Sequence, residues 1–493
     1  MHRRLISCFV LPLAAGVLLG CGQTSEALLA ADVQAAPVGS DWVLVARLAH
    51  ITDTHVVDEE SPARFAGAHD ITRSAWRPYE SYSTQIMDGI IRTVNRLHAS
   101  GRTIDFLLHT GDACDNSQSN ELAWLLALFD GGVVEPLTGP DDRPADQRPA
   151  TELDPHAAFV AQGLYRQGVH GDQPTIPWYF VFGNHDVYSI GVFPIREVEP
   201  GQRIASLPLE WRPGWLLPVY LDPAAQWAYG NVTQAEPGPP HLFETRRAVE
   251  PNRDRAYFSK DELVSALFAS ATGPIGHGFA LARSDTTWYS AAPLPGLRLI
   301  GLDTTDRVPP PPGFLSQEGA LTRGQLDYLR EQLDAAHARD ELVVVATHHP
   351  STSLLSAFGS EAEGPEFRDL LAGFPNVIAH ICGHTHRNHV VQRAGYIEIE
   401  TCATLDPPQE CRLIEIWRNE AQGAVALAYE MFSHVDDTLP PLGPDPLHAL
   451  RAAARDLAGG DTDGRTKPRT PAPTSPAFDA LPGRSSVVIL GPA

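Results

Sequence analysis

Six short stretches of the 493-residue chain place metal-capable side chains directly after apolar runs. ITDTH carries Asp53 and His55, GDACDN carries Asp112, and GNHD carries Asn184, His185 and Asp186. DTTD carries Asp303 and Asp306, THHP carries His348 and His349, and GHTH carries His384 and His386. The donors are carboxylate, amide and imidazole, with no thiolate among them. A structural zinc or soft-metal site normally shows cysteine, whereas this set suits Mn, Fe, Zn or Ni in an open catalytic site. Asp53, His55, Asp112, Asn184, one of the THHP histidines, His384 and His386 exceed the needs of one ion. They match two ions about 3.5–4 Å apart that share a bridging carboxylate. In an extended segment alternate residues share one side, so Asp-x-His and His-x-His each aim two donors the same way. Glycines before Asp112, Asn184 and His384 permit tight turns and close backbone approach. Two divalent ions make a shared water acidic enough to serve as hydroxide, so the chemistry predicted is hydrolysis.

The elements that must position these side chains follow from the runs before them. WVLVARLAH, IDFLLHT, PWYFVF, LRLIGL, ELVVVAT and NVIAHIC have the length and apolar composition of buried strands. Between them, Ile86, Ile90, Ile91, Val94 and Leu97 recur at helical spacing, and Thr322 with Gln325 forms a capping-box pattern before LDYLREQL. Strands alternating with helices predict an α/β fold with much parallel pairing. Ligands in such sheets collect beyond the carboxyl ends of the strands, so distant stretches are expected to converge on one site. His109, His380 and His389 lie in or beside strands and read as packed or surface histidines. Asp303 and Asp306 read either as carboxylates behind the ligands or as turn residues.

After GHTH, the runs HVVQRA, GYIEIETCA, CRLIEIWRN and GAVALAYEMF predict an antiparallel finish. Residues 131–150 read as a surface loop. Residues 193–286, with Trp211, Trp215, Trp227 and the helix candidate SKDELVSALFAS, read as an insertion capping the site. The expected organisation is a domain over 42–438 and a Pro/Gly-rich tail over 439–493. That tail holds one helix candidate, DPLHALRAAARDLAGG, and is otherwise mostly disordered.

Composition narrows the partners. Hydrophobic residues make up 43% and charged residues 20%, an ordinary globular mix. With 37 Lys+Arg against 60 Asp+Glu, the formal net charge is −23. Such a surface repels polyphosphate backbones, so nucleic-acid polymer binding is not expected. A small phosphate ester stays compatible, because a bound metal reverses the local potential. At the N-terminus, MHRR precedes an apolar stretch too short to span a membrane comfortably, ending in LLGC at Cys21. This resembles a bacterial lipobox. The expectation is a signal peptide over 1–20, lipidation and membrane attachment at Cys21, a tether over 21–41, and location in the bacterial envelope. Cys8 leaves with the signal. Cys114 and Cys382 are expected as buried free thiols, while Cys402 and Cys411 flank a DPPQ loop as either a local bridge or free thiols.

Taken in order, DTH, GDACDN, GNHD, THHP and GHTH resemble the signature blocks of the calcineurin-like metallophosphoesterases, over about residues 45–390. SPARFAG, AWRPYES and GHGF further resemble an exported bacterial branch of that superfamily. The resemblance implies a four-layer α/β/β/α sandwich of two mixed sheets flanked by helices, with a dimetal site at strand C-terminal ends. It implies that Asp53, His55 and His386 bind one ion, that Asn184, His348 and His384 bind the other, and that Asp112 bridges them. The family pattern His-x-Pro picks His348 over His349. It also implies two divalent or trivalent ions (Mn, Fe or Zn), with His185 beside the substrate phosphate, oriented by Asp186. The related purple acid phosphatases place a tyrosine three residues after the bridging aspartate; here that position is Asp115. His277 and Arg77 fall in the branch-specific segments and are candidate substrate contacts. The expected activity is hydrolysis of a phosphate mono- or diester. The alternative is a catalytically inactive envelope lipoprotein that binds metal or a partner.

Overall fold

In the computed structural model the described residues are 41–492, except 62–76, 78, 140–153, 171, 173, 200, 201, 206–232, 236–245, 249–251, 281–285, 307–316, 436–438, 440, 441 and 461–485. The predicted signal, Cys21, most of the tether, SPARFAG after Ser61 and the three insertion tryptophans lie outside the described residues. The described residues fall in one compact unit within Val33–Ala493.

Two six-stranded sheets carry the fold. Numbered in chain order over these sheets, the first contains β1 (Trp42–Ile51), β2 (Phe106–His109), β3 (Trp178–Phe180), β10 (Glu410–Asn419), β11 (Ala424–Ser433) and β12 (Ser486–Pro492). Its order is β12-β11-β10-β1-β2-β3. The second contains β4 (Tyr289–Leu294), β5 (Leu297–Gly301), β6 (Leu342–Ala346), β7 (Val377–Cys382), β8 (His389–Gln392) and β9 (Ile397–Glu400), ordered β4-β5-β6-β7-β9-β8. Both sheets are mixed. β1, β2 and β3 run parallel, as do β5, β6, β7 and β9, while the outer strands pair antiparallel.

Strand period two explains the layers. On β6, Leu342, Val344 and Ala346 join a core with Leu107, Ile414 and Ile416 of the first sheet. The alternate residues Val343 and Val345 face outward onto a second cluster. That cluster is supplied by Leu326, Leu329 and Leu333 of α4 (Arg323–His337) and by Phe367, Leu370 and Leu371 of α5 (Gly364–Ala372). On the other side, Met87, Ile90, Ile91, Val94 and Leu97 of α1 (Ser83–Ala99) and Leu122, Leu125 and Leu128 of α2 (Ser119–Asp130) are buried in the main core. The sheets are thus packed between helices, as the α/β reading predicts. The apolar runs that looked buried on both faces are so because one face meets a sheet and the other meets helices.

Two features depart from the sequence reading, the finish after GHTH and strand β12, while the helix candidates of the insertion and the tail both form. The finish after GHTH is shared between sheets: β8 and β9 close the second, with β9 parallel to β7, and β10 and β11 return to the first. The expected tail contributes two elements. α6 (His448–Gly460) packs Leu450, Ala453 and Ala454 against Tyr79, Tyr82 and Ile86, and β12 pairs with β11 at the sheet edge. Short apolar β12 follows a Pro-rich stretch, and only its partner strand identifies it as sheet. The insertion helix, α3 (Lys260–Ala269), starts at Ser259 with a capping box to Glu262 and sends Lys260 Nζ to within 2.5 Å of Asp303 Oδ2.

Candidate metal centre

The parallel strands of both sheets end at one place. The loop after β1 keeps pairing with the loop after β2: Asp53 N–H donates to Gly111 O (2.9 Å), and His55 N–H donates to Asp112 O (3.0 Å). These turns leave extended geometry. Asp53, His55, Asp112, His384 and His386 all have φ between 42° and 75°. The two donors of Asp-x-His therefore share a side through left-handed turns, not through the pleat of a strand. Such backbone is uncommon away from glycine and is held where surrounding structure over-determines it. Glycine is needed for contact here. A Cβ on Gly183 would lie 2.2 Å from Asp112 N, and one on Gly383 would lie 2.4 Å from Asp53 Oδ2.

Among the described residues, ligand-capable atoms gather in overlapping groups within 4.8 Å of one another: Asp53, His55 and His386; Asp53, Asp112 and His348; His55, Asp112 and His185; and His348, His349 and His384. Asp53 Oδ1 lies 3.2 Å from His386 Nε2 and 3.9 Å from His55 Nε2. Asp112 Oδ2 lies 3.2 Å from His348 Nε2 and 3.9 Å from His55 Nε2, between the two sides of the cluster. Asn184 Nδ2 donates to Gly191 O (3.0 Å), which turns Oδ1 inward to 3.1 Å from His348 Nε2. His384 donates its main-chain N–H to Asp53 Oδ2 (3.0 Å). All seven sequence-predicted donors are thus brought together. Within THHP the geometry separates the pair. His349 has Nδ1 on Thr304 Oγ1 (2.7 Å) and Nε2 on Gln317 O (3.0 Å), so His348 is the member facing Asp112.

The imidazoles are oriented from behind. His348 Nδ1 meets Thr110 O at 2.8 Å, His386 Nδ1 meets Asp406 Oδ2 at 2.5 Å, and His55 Nδ1 lies 2.8 Å from Asp115 Oδ1. Each Nε2 is left facing the cluster, the arrangement that fixes tautomer and ring direction in metal sites. Asp406 has no signal in the sequence beyond an acidic residue in a loop after β9. Asp115, noted only as the place of a missing tyrosine, belongs to the GDACDN stretch itself.

Burial and neighbouring charge oppose each other across the cluster. Burial alone would raise the Asp53 and Asp112 carboxyls, but facing His348 and the other imidazoles hold both well below the usual range. Burial likewise opposes charge on His348, yet Asp112 and Asp53 raise it to about 9. Burial holds His55 down at about 4, the neutral form a metal requires.

Several expected roles change. Asp186 does not orient the His185 ring. Its carboxylate accepts N–H groups from Asp112 (2.8 Å), Ala113 (2.8 Å), Cys114 (3.2 Å) and Gly183 (2.9 Å), so it shapes the backbone that presents Asp112. His185 is held instead by Asp115, with Nδ1 2.8 Å from the carbonyl and 3.3 Å from Oδ1. His277 is not at the cluster. It is fully buried against Trp178 at the start of β3, ring centroids 3.8 Å apart, with Nδ1 on Trp178 O. Arg77 is buried behind the histidines, with Nε on Asp406 Oδ1 (2.7 Å) and Nη1 on Asp115 Oδ1 (3.2 Å). Asp303 is a turn residue: Oδ1 accepts from Thr305 N (2.9 Å). His109 and His380 are satisfied core histidines, on Thr54 and Gly111 and on Thr347 and Glu398 respectively, while His389 is about half exposed. Cys114, Cys382, Cys402 and Cys411 are all buried thiols outside any disulfide, which decides the Cys402/Cys411 alternative.

Two mixed sheets between helices, with carboxylates and imidazoles converging at the strand ends, define an α/β protein built around a metal-binding centre. A calcineurin-like phosphoesterase family profile matches residues 46–388, and the chain belongs to that family. Solved structures with similarity include a dimetal phosphatase from Danio rerio, at 14% identity and TM-score 0.43, covering 81% of this chain and all of that one. Plasmodium GAP50, the anchor in the inner membrane complex, is 11% identical at TM-score 0.32, covering 84% of this chain and 95% of that one. No curated protein matches significantly in sequence.

Proposed function

We propose that the protein is a phosphoric ester hydrolase acting on a small phosphate mono- or diester with two divalent metal ions. The observation that carries this reading is the overlap of the ligand groups: Asp53 and Asp112 each belong to two of them. The donor set fits such ions, being hard and borderline oxygen and nitrogen atoms around the two carboxylates Asp53 and Asp112. Asp53, His55 and His386 would hold one ion, Asn184, His348 and His384 the other, with Asp112 between. Bound there, the ions supply Lewis acidity toward phosphoryl oxygens and a water acidic enough to act as hydroxide near neutral pH.

The chain's own contribution centres on His185. Its Nδ1–H is engaged by the Asp115 carbonyl, and although burial opposes charge, Asp112 and Asp115 raise its affinity for a proton. When protonated, the ring offers Nε2–H. A Cβ on Gly191 would come within 2.3 Å of that nitrogen, so glycine there keeps the space beside it clear. His185 is placed to bind a phosphoryl oxygen and to pass a proton to the leaving alkoxide.

The test is turnover of an aryl phosphomonoester and an aryl phosphodiester with Mn, Fe, Zn or no metal, across pH 5–9. Metal-dependent hydrolysis of at least one is expected. His185→Gln should lower kcat by roughly 10²- to 10⁴-fold while metal content stays at the wild-type level. Stoichiometric metal without turnover of any ester would overturn the proposal.

A further inference from the structure

The geometry points to Arg77 as a positioning residue that sets how firmly the Asp53/His55/His386 position holds its ion. It acts through the two carboxylates behind those histidines and rests on the dimetal reading above.

Three layers lie on one line of contacts. At the front, His55 and His386 approach each other to 3.1 Å through their Nε2 atoms. Behind them, Asp115 Oδ1 lies 2.8 Å from His55 Nδ1 and Asp406 Oδ2 lies 2.5 Å from His386 Nδ1. Behind both carboxylates, one guanidinium reaches Asp406 Oδ1 through Nε at 2.7 Å and Asp115 Oδ1 through Nη1 at 3.2 Å. Arg77 is 1% exposed, and Asp115 and Asp406 are 0% exposed. Tyr79 adds a hydroxyl to Asp406 Oδ1 at 3.0 Å. The parts come from distant chain positions: Arg77 before α1, Asp115 after β2, and Asp406 after β9.

Two buried carboxylates side by side repel and need a counter-charge that does not titrate away. A guanidinium is always charged, and its rigid fork engages two acceptors at fixed separation. A lysine ammonium is a point charge on a flexible stem and cannot hold that separation. The fork therefore fixes the spacing of Asp115 and Asp406, and with it the directions of His55 and His386. At the other ion position His348 Nδ1 rests on the Thr110 carbonyl, not on a carboxylate. His185 shares Asp115, so the same fork fixes the ring proposed to contact substrate.

The test follows Co²⁺ release from the loaded full-length protein to excess chelator, in the wild type, Arg77→Lys, Arg77→Ala and Asp406→Asn. Loss of an outer partner of a ligand typically costs 10- to 100-fold in metal affinity. Arg77→Lys and Asp406→Asn are expected to speed release of one Co²⁺ class by roughly that factor and leave the other class unchanged. Added guanidinium is expected to slow release from Arg77→Ala again, which a general loss of packing would not allow. Asp406→Asn keeps the shape of the side chain and carries the test if Arg77→Ala does not fold. Wild-type release rates in folded Arg77→Lys and Asp406→Asn overturn the inference. A wild-type protein that holds no Co²⁺ overturns the functional reading instead, and this inference falls with it.

Discussion

At the scale of single residues, the centre is a contest between burial and neighbouring charge. His348 shows the balance: burial disfavours its proton, but Asp112 at 3.2 Å and Asp53 at 4.0 Å raise it to about 9. At pH 7 the metal-free protein therefore carries a proton where the proposed ion would bind. His386 is raised in the same sense, with burial outweighed by Asp406 and Asp53. A metal ligand must present a lone pair, so binding displaces the His348 proton. Metal binding at pH 7 is expected to release at least one proton, and apparent affinity is expected to rise with pH up to about 9. Calorimetric titration in buffers of different ionisation enthalpy measures this directly. Enthalpies that do not depend on the buffer would contradict it.

At the scale of elements, four strands end two or three residues before a ligand, and β3 ends four residues before Asn184. β1 ends at Ile51 before Asp53, β2 at His109 before Asp112, β6 at Ala346 before His348, and β7 at Cys382 before His384. The turns after β1, β2 and β7 hold left-handed residues and are tightly packed, so small changes there act on the donors. Gly183→Ala would put a methyl 2.2 Å from both Asp112 N and Asp112 Oδ1, which forces the backbone apart. Overpacking of this kind costs about 1–3 kcal/mol. The melting temperature is expected to fall together with metal affinity. Gly101→Ala is the control: its φ is 93° with nothing within 4 Å of a new Cβ. It is expected to cost about 1 kcal/mol with metal binding unchanged. Thermal melts and metal titrations of the two variants distinguish them.

At the scale of the whole molecule, the two sheets share one core, but their edges differ. β12 covers the outer side of β11, and Leu490 is buried in the main core. Removing residues 461–493 would leave β11 with an unpaired edge, the form of sheet most prone to self-association. The truncated chain is expected to melt lower and to aggregate at high concentration, as light scattering would show. Its metal stoichiometry is expected to stay at the wild-type value, because none of the ligand-bearing turns follows β11 or β12.

Chemistry at the centre was legible in the chain because it is carried by residue types in short blocks: a carboxylate or histidine follows an apolar run, and such runs are buried strands whatever their neighbours. The α/β class, helices α1 and α4, six of the donors and the THHP pair follow from that local pattern. What tertiary structure alone decided are relations between blocks. Asp406 joins His386 from a loop twenty residues downstream, and Asp115 takes the role expected of Asp186. Arg77 turns away from the cluster to pair with both. The choice of His348 over His349, implied by the His-x-Pro resemblance, has its physical reason in Thr304 and Gln317, which occupy both nitrogens of His349. Hydrogen-bond partners across a sheet end are set by three-dimensional proximity, and neither spacing nor composition encodes which carboxylate lies behind which imidazole.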